Sequence, residues 1–552
     1  MRASAPSATT VLRTVRWTAA AVASAVLLTG CAAGTAGGAP RDGASGSRNG
    51  GDTRAGATSG GNGEADRAAT ALCTAESDRR MRGAWLTTVR NIDWPSEPGL
   101  PAAEQQDELD AYLDDAAAMG LNAVFLHVRP TADAVYRSDL EPWARYLTGE
   151  QGGDPGYDPL EYAVAGAHER GLELHAWFNP YRVGLHEPDI ANLADDHPVK
   201  ENPDWLVDYG DEAYMDPGNP EVRDWVTGVI MDVVDRYDID GVHFDDFFYP
   251  YPQDGEEFDD DASWKAYGGD FDDRGDWRRD NVDRLIRDVH DAIQASAPWV
   301  SFGVSPFGIW RNRGTDPAGS PTSGLQSYDA QYADTRAWIR EGSIDYVAPQ
   351  LYWERGFAAA DYEVLADWWA DQVEGTDVDL YIGQAAYRLG EEGWTSDDAL
   401  SVQLDYSGAL EQVEGDIYFS IKSLRGNRGA VDHLLGGHYA APALPPRTDT
   451  GREEARVGAV PGVTARAGQD GVAVSWEAVE GARFYAVYRL PAEAAGAGEA
   501  ACAALTPENL AGMTGGTGFD DAGAGDGAVY AVTALDDYRA QGPVGGIAVP
   551  RG

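Results

Sequence analysis

Short apolar runs alternate with longer amphipathic stretches from about residue 81 to residue 440. The runs are rich in Val, Ile, Phe and Trp, and the stretches between them place apolar residues near helical spacing and can close with glycine. Eight runs therefore predict eight strands: 82–89, 122–130, 172–180, 240–247, 300–308, 344–353, 378–387 and 416–424. This alternation predicts an α/β fold, a (β/α)8 barrel of the TIM type, over residues 79–440. No glycine-rich phosphate loop follows the first run, which argues against a dinucleotide-binding sheet.

The pattern of apolar and polar residues changes after a Pro-rich linker at 441–458. Residues 459–550 contain short strand-like segments with turn residues between them, which predict a small all-β domain. Trp476, the segment "YAVYR" and Tyr530 resemble a fibronectin type III sandwich. We find no catalytic constellation in this segment.

The N-terminus is typical of an exported protein. A basic start and an apolar run at 18–28, too short to span a bilayer, form a signal peptide over residues 1–31. The run closes with "LTGC", which resembles a bacterial lipobox and predicts lipidation of Cys31; the alternative is an ordinary signal peptide with an incidental cysteine. Residues 32–72, rich in Gly, Ser, Ala and Thr, predict a flexible tether. We expect an extracytoplasmic protein held at the cell membrane by its lipid anchor only.

Charge and cysteine content narrow the possible partners. The formal net charge of −49 argues against a nucleic-acid partner, because like charges repel, and is typical of a soluble secreted surface. Cys73 and Cys502 can pair in an oxidising compartment or remain free. Their spacing fits no zinc pattern, so we expect no metal ion and no cofactor.

Strand alternation indicates which acids face the barrel mouth. Side chains alternate between the two faces of a strand. In the fourth run, "DGVHFDDF", this alternation points His243 and Asp245 into the barrel and Asp246 away from it. The same alternation, continued past the end of the sixth run, points Glu354 into the barrel as well. Glycoside hydrolysis needs two carboxyl groups, one to protonate the leaving oxygen and one to attack or to activate water. The catalytic candidates are therefore Asp245 as nucleophile or base, Glu354 as proton donor, and Asp246 as a residue that orients a neighbour.

Polar and aromatic side chains also cluster at the predicted strand ends. Aromatic faces stack on sugar rings, and amide, guanidinium and imidazole groups bind hydroxyl or acetamido groups. An inward His or Gln can equally be a hydrogen-bonded core residue, and an aromatic ring can be simple packing. Lys422, in the eighth run, also has a side chain directed at the mouth. The candidate substrate-binding residues are Arg129, His175, Trp177, Asn179, Arg182, His243, Tyr249, Ser305, Trp310, Gln350, Tyr352 and Trp353.

Several motifs in order carry a family resemblance over residues 79–440. These are "RGAWLTTVRNIDWPS", "FNPYR", "MDPGNPEVRDWV", "DGVHFDDFFYPYP", "WRRDNVDRLI", "GVSPFGIWRN" and "APQLYW". Together they resemble the glycosyl-hydrolase-like family ten, bacterial envelope proteins with a (β/α)8 domain. The resemblance implies a glycosidase that acts on peptide-free peptidoglycan glycan, and it covers Asp245 and Asp246. The position of Glu354 is not part of the family pattern, which leaves Asp93, Asp133 and Asp216 as alternative acids.

Two other functions fit the same sequence. One is a non-catalytic glycan-binding lipoprotein that kept the barrel and lost turnover. The other is a hydrolase of an extracellular polysaccharide other than peptidoglycan. The two carboxyl groups favour an enzyme over a binding protein.

Overall fold

The computed structural model describes residue 75, residues 78–448, and residues 455–551 apart from 470, 496–498 and 526. The predicted signal peptide with Cys31, the tether and Cys73 lie outside the described residues. Within the described part of the chain, no helix has the length and apolar character needed to cross a membrane.

The described residues form eighteen strands and fifteen α-helices. The strands are β1 Met81–Leu86, β2 Ala123–Arg129, β3 Glu173–Phe178, β4 Arg182–Gly184, β5 Leu206–Tyr209, β6 Glu212–Met215, β7 Gly241–Phe244, β8 Ser301–Val304, β9 Tyr346–Val347, β10 Asp379–Gln384, β11 Val413–Tyr418, β12 Thr464–Ala467, β13 Val472–Ser475, β14 Phe484–Leu490, β15 Leu510–Thr514, β16 Gly518–Asp521, β17 Val529–Leu535 and β18 Ile547–Ala548. The helices are α1 Ala102–Ala118, α2 Arg145–Thr148, α3 Pro159–Glu169, α4 Glu187–Ala191, α5 Pro198–Glu201, α6 Pro220–Arg236, α7 Asp261–Tyr267, α8 Arg274–Ser296, α9 Ser327–Ala330, α10 Thr335–Glu341, α11 Tyr362–Val373, α12 Ala399–Ser407, α13 Ile421–Arg425, α14 Arg428–Gly436 and α15 Glu499–Ala503.

Eight parallel strands close a barrel in the order β1-β11-β10-β9-β8-β7-β3-β2. These are the eight predicted strands, so the (β/α)8 prediction is confirmed. Alternation holds as well: Val242 and Phe244 of β7 pack in the layer against the helices, while His243 lies inside the barrel. The eighth strand ends at Tyr418, and Lys422 lies on α13 instead of on a strand.

The barrel interior is polar and aromatic where many barrels are aliphatic. The indole N–H of Trp85 donates to Nε2 of His243 at 3.0 Å, and Nδ1 of His243 lies 2.9 Å from the hydroxyl of Tyr346. Burial, with the nearby His175, holds the pKa of His243 well below its usual range. His243 is therefore neutral, and since its Nε2 accepts, its Nδ1–H donates to Tyr346.

A small antiparallel sheet lies beyond the third barrel strand. Its order is β4-β6-β5, and it is inserted between β3 and α6. The sheet belongs to the loop that leaves the carboxyl end of β3, the end at which barrel enzymes carry their sites. It positions Arg182, the first residue of β4, at the barrel mouth.

The C-terminal residues form two antiparallel sheets, β12-β13-β16 and β15-β14-β17-β18. Apolar side chains of both sheets, among them Val474 and Val487, share one core, which makes the segment a small all-β sandwich. Its fibronectin type III identity stays a prediction. Cys502 is disulfide-bonded, so the free-thiol alternative is wrong for this residue; pairing with Cys73 stays a prediction.

Two arginines of the sandwich reach the amino-terminal end of the barrel. Arg483 donates through Nε to Asp240 at 2.6 Å, and Arg539 donates through Nη2 to Asp240 at 2.9 Å and through Nε to Glu173. Burial opposes ionisation of Asp240, but Arg483, His168 and Arg539 hold its pKa well below its usual range. The sandwich is thus joined to the barrel by a buried ionic network.

Candidate active site

Two adjacent carboxyl groups follow β7 at the mouth of the barrel. Asp245 and Asp246 come directly after Phe244, the last residue of that strand. Their exposed fractions are only 6% and 5%, so both carboxyls are largely withdrawn from water. Carboxyl ends of barrel strands are where barrel enzymes carry their chemistry. We call Asp245 and Asp246 the dyad.

Asp245 is oriented by donors from two strand ends. Asn179 Nδ2 donates to Oδ2 of Asp245 at 2.5 Å, and the backbone N–H of Phe247 donates to Oδ1 at 3.0 Å. The Oδ1 atom of Asn179 lies 2.9 Å from Nε2 of His127 and accepts from Arg182, which leaves its amide nitrogen directed at Asp245. Burial raises the pKa of Asp245, and Arg182 with these hydrogen bonds offsets part of that rise.

Asp246 is the proton-holding member of the dyad. Burial, followed by the negative charge of Asp245, raises the pKa of Asp246 to about 7. The hydroxyl of Tyr251 donates to Asp246, and this bond and the contact with Gln350 lower the pKa in part. Two neighbouring carboxyls in a dry site resist double ionisation, so near neutral pH the dyad retains a proton, held mainly by Asp246. A proton donor and an ionised carboxylate are then present together.

Half-buried aromatic rings surround the dyad in two groups. The first aromatic group consists of Phe247, Tyr251, Phe307 and Trp353, whose successive ring centroids lie 5.4, 6.3 and 5.5 Å apart. The second aromatic group consists of Tyr352, Tyr387 and Phe419, with centroids 5.6 to 6.4 Å apart. Partly exposed rings at the mouth of the barrel offer flat apolar faces to a ligand.

The structure brings six of the predicted substrate-binding residues to the dyad. Trp177 stacks on His127 at 3.9 Å, and its indole N–H lowers the pKa of Asp245. Asn179 and Arg182 form the network described above, and Gln350 contacts Asp246. Tyr352 and Trp353 belong to the aromatic groups.

Arg129 and His175 lie too deep to contact a ligand at the mouth. Arg129 is fully buried and pairs with Glu141, with a 2.8 Å bond from Nε, while its Nη1 donates to the carbonyl of Asn179 at 2.6 Å. Its observed role is to hold the loop that carries Asn179. His175 points into the barrel as parity predicts, but near the lower end, where Nε2 lies 3.1 Å from Glu173. Both are corrections. For His175 the reason is that alternation gives direction and not height along the strand, and for Arg129 it is a shift in the pairing of β2 with β3 between His127 and Arg129.

His243 and Ser305 lie beneath the dyad instead of beside a ligand. They are 0% and 1% exposed, and Nε2 of His243 lies 3.0 Å from Oγ of Ser305. The carbonyl of Ser305 accepts from Nε2 of Gln350 at 2.9 Å. This corrects their prediction as ligand-binding groups: they support Gln350, which contacts Asp246.

Tyr249 and Trp310 are packing residues in this structure. The ring of Tyr249 is 1% exposed and contacts Phe258 and Tyr332 edge-on. Trp310 donates from Nε1 to Asp334 at 3.2 Å and stacks on Trp368. The prediction that they bind substrate is corrected for this reason.

Glu354, the second predicted acid, lies beside the loop that follows β10. Its carboxylate lies against Gly393, in the loop after β10, where an added Cβ would come within 1.5 Å of Oε2. Gly393 also has a φ of +84°, so this position favours glycine twice over. In the part of the chain that the structure describes, no hydrogen bond joins Glu354 to the dyad. Its role as proton donor stays a prediction, and Asp246 is a second candidate for that role.

The alternative acids are all held by local partners. Asp93 accepts from the backbone N–H of Thr87 at 2.8 Å and from Ser420 at 2.7 Å. Asp133 accepts from Thr131 and Gln151, and burial raises its pKa to about 6. Asp216 accepts from the backbone N–H of Gly218 at 2.8 Å and from Ser263. Each carboxyl therefore has a structural role that accounts for its position.

Sequence reasoning missed three members of the mouth. Phe307, Tyr387 and Phe419 follow β8, β10 and β11 and were not singled out. Of the aromatic run after the dyad, Phe247 and Tyr251 line the mouth, whereas Phe248 and Tyr249 are core residues. The signal in the sequence is an aromatic residue within three positions after the observed end of each of these strands. Among the described residues, no cluster of three or more His, Cys, Asp or Glu side chains is arranged for a metal ion.

A closed (β/α)8 barrel with paired carboxyls and aromatic rings at its mouth is an arrangement suited to glycoside hydrolysis. Residues 80–400 match the family described as glycosyl hydrolase-like 10, and the chain belongs to this family. The glycosyl hydrolase YngK of Bacillus subtilis (strain 168) is 49% identical over 382 residues, covering 68% of this chain and 75% of that protein. The glycosyl hydrolase DigH of Escherichia coli (strain K12) is 42% identical over 369 residues, covering 63% of this chain and 84% of that protein.

Solved structures also align with the chain at low identity, among them a glycoside hydrolase domain. The glycoside hydrolase domain of PgaB (BpsB) from Bordetella bronchiseptica aligns with a TM-score of 0.44 and 14% sequence identity, covering 64% of this chain and 97% of that domain. This likeness adds nothing to the family assignment, which stands on the sequence matches.

Proposed function

We propose that this glycoside hydrolase is an exported, lipid-anchored enzyme that cleaves glycosidic bonds in peptide-free peptidoglycan glycan. Lipid anchoring is supported by the "LTGC" lipobox at Leu28–Cys31, and the substrate by the family motifs of the barrel. The observation that carries the catalytic part is the buried dyad in which the pKa of Asp246 is raised to about 7.

The dyad supplies both groups that glycoside hydrolysis requires. Asp246, protonated near neutral pH, donates its proton to the leaving-group oxygen. Asp245, held by Asn179 and Phe247, is the ionised carboxylate that attacks the anomeric carbon or activates water. Because the local environment keeps the proton mainly on Asp246, this residue takes the role of acid, and Asp245 takes the role of nucleophile or base.

The aromatic groups support a glycan that crosses the mouth. The first aromatic group begins beside the dyad at Phe247, and the second begins at Tyr352, whose pKa is raised by burial and by the charge of Asp246. Sugar rings bound on the two groups would place a glycosidic bond over the dyad.

Release of reducing ends tests this proposal. The purified full chain is incubated with peptide-free glycan strands, with peptide-bearing peptidoglycan, and with a neutral β-glucan. We expect a steady rise of reducing ends from the peptide-free strands and much slower release from the other two. Release from the neutral glucan alone would replace the proposed substrate. Binding of the strands without any release would indicate a glycan-binding protein instead.

The pH profile offers a test of the role of Asp246. The raised pKa means that Asp246 keeps its proton below about 7 and loses it as the pH rises, so kcat/KM falls above about 7. Tyr251→Phe removes a hydroxyl that stabilises the carboxylate form, and we expect the basic limb to move to higher pH. Tyr387→Phe, which keeps its ring in the mouth and has no hydrogen bond to Asp246, is the matched control. An unshifted limb in Tyr251→Phe would contradict the assignment.

A further inference from the structure

Two exposed cations follow β1 and β11, on the side of the barrel mouth away from the dyad of β7. The chain has three lysines, Lys200, Lys265 and Lys422, in a protein of net charge −49. Lys422 is exposed on α13, after β11, and its Nζ donates to the carbonyl of Ile92, in the loop after β1. Arg90, in the same loop, is exposed as well. We call Arg90 and Lys422 the rim cations.

In the described part of the chain, neither rim cation forms an ion pair with a carboxylate, since no Asp or Glu oxygen there lies within ion-pair distance of Arg90 or Lys422. The carboxyl of Asp93 is close enough for the charge of Lys422 to act on it, but Asp93 is fully buried and its two oxygens accept hydrogen bonds from Thr87 and Ser420. Burial raises the pKa of Asp93, and its hydrogen bonds and the positive charge of Lys422 offset part of that rise. Two exposed positive charges therefore face solvent at the mouth of a strongly acidic protein.

The loop that carries Arg90 is held in an unusual conformation. Arg90 and Asn91 are consecutive residues with φ values of 54° and 53°, in the left-handed region that non-glycine side chains rarely adopt. Asn91 secures the loop through Nδ2, which donates at 2.9 Å to the carbonyls of Pro95 and Tyr146. Such conformations persist where surrounding contacts maintain them, and they are frequent at ligand sites.

The second aromatic group connects the dyad to the rim cations. In the ring of eight strands, β11 stands opposite β7, which carries the dyad. Tyr352, Tyr387 and Phe419 follow β9, β10 and β11 in turn, and Phe419 lies three residues before Lys422. A saccharide that leaves the dyad along this side of the mouth passes over the three rings and ends at the cations.

We infer that the rim cations form a subsite for a saccharide residue that bears a free carboxylate. The inference rests on the proposed function and deepens it. An ammonium and a guanidinium at the end of an aromatic surface match a sugar ring with an anionic substituent. Peptide-free peptidoglycan glycan has this chemistry, since the lactyl carboxylate of its muramic residues is free once the peptide is removed. The subsite thereby favours glycan without peptides over glycan whose carboxylates are amide-linked.

Binding to an inactive form of the full chain tests this inference independently of turnover. In the Asp245→Asn protein, calorimetry measures the Kd for peptide-free strands and for the same strands with their carboxyls converted to neutral amides. We expect Lys422→Met to raise the Kd for native strands roughly two- to fivefold, the range of a solvent-exposed ion pair. The same substitution leaves the Kd for amidated strands unchanged. Raising the salt concentration should remove the difference.

Matched variants separate charge from structure. Lys422→Arg keeps the charge and should retain the affinity, and Lys265→Met, at an exposed lysine of α7, should change nothing. Equal loss of affinity for native and amidated strands, or equal affinity of the unsubstituted background for both, would overturn the subsite. Failure of the proposed function is a different result: the parent chain would release no reducing ends, whatever the two Kd values.

Discussion

Asp245→Asn is expected to lower kcat on peptide-free glycan by roughly 10²–10⁴-fold, the usual contribution of a catalytic acid or base. The amide cannot ionise, so it neither attacks carbon nor deprotonates water. Burial raises the pKa of Asp245, which means that its charged form is unfavourable in the folded protein. A neutral amide removes that penalty, and the melting temperature should stay the same or rise. Reducing-end assays and thermal melts measure the two effects on one sample.

Asp133→Asn is the matched control for Asp245→Asn. Asp133 is also a fully buried carboxyl beyond a barrel strand, with a pKa raised to about 6, but its partners are Thr131 and Gln151. We expect its kcat to stay close to that of the parent. An Asp245→Asn protein with the kcat of the parent would remove Asp245 from the reaction.

Arg539→Met is expected to lower the free energy of unfolding by about 3–5 kcal/mol, as removal of one partner from a buried ionic network does. Arg539 is fully buried and donates to Glu173 and Asp240, both of which are buried. Asp240 keeps Arg483, so Glu173 is the carboxylate that loses its arginine partner. Urea unfolding followed by tryptophan fluorescence measures the change.

Arg489→Met provides the control for Arg539→Met. Arg489 pairs with Asp521 within the sandwich, and its side chain is 36% exposed, so we expect a loss of at most about 1 kcal/mol. Equal stability of the two variants would show that the network between sandwich and barrel is not a main source of stability.

The pKa of Asp240 is held well below its usual range, so its stabilising effect is present above the ordinary aspartate pKa of about 4 and is lost as the pH falls.

The barrel itself could be predicted because its signals are local. Each strand is an apolar run bounded by helical spacing, and alternation within a run assigned His243 to the interior and Val242 to the outer layer. Alternation does not report height, and for this reason His175 was placed at the mouth although it lies near the lower end of β3. Arg129 was misplaced for another reason: the pairing of β2 with β3 shifts between His127 and Arg129.

Contacts between distant parts of the chain could not be predicted from the sequence. Arg483 and Asp240 are 243 positions apart, and Arg539 and Glu173 are 366 apart. Nothing in the local pattern of either residue indicates such a partner. The same holds for the proton on Asp246: parity alone turned this residue away from the site, whereas burial and the charge of Asp245 raise its pKa to about 7.

Incorporation of labelled oxygen tests the central claim most directly. Peptide-free glycan strands are digested by the full chain in water enriched in oxygen-18, and the masses of the products are measured by mass spectrometry. A hydrolase that uses the dyad adds water across the bond, so each new reducing end should carry the label. Cleavage products without the label, or strands left intact, would contradict a glycoside hydrolase of this glycan.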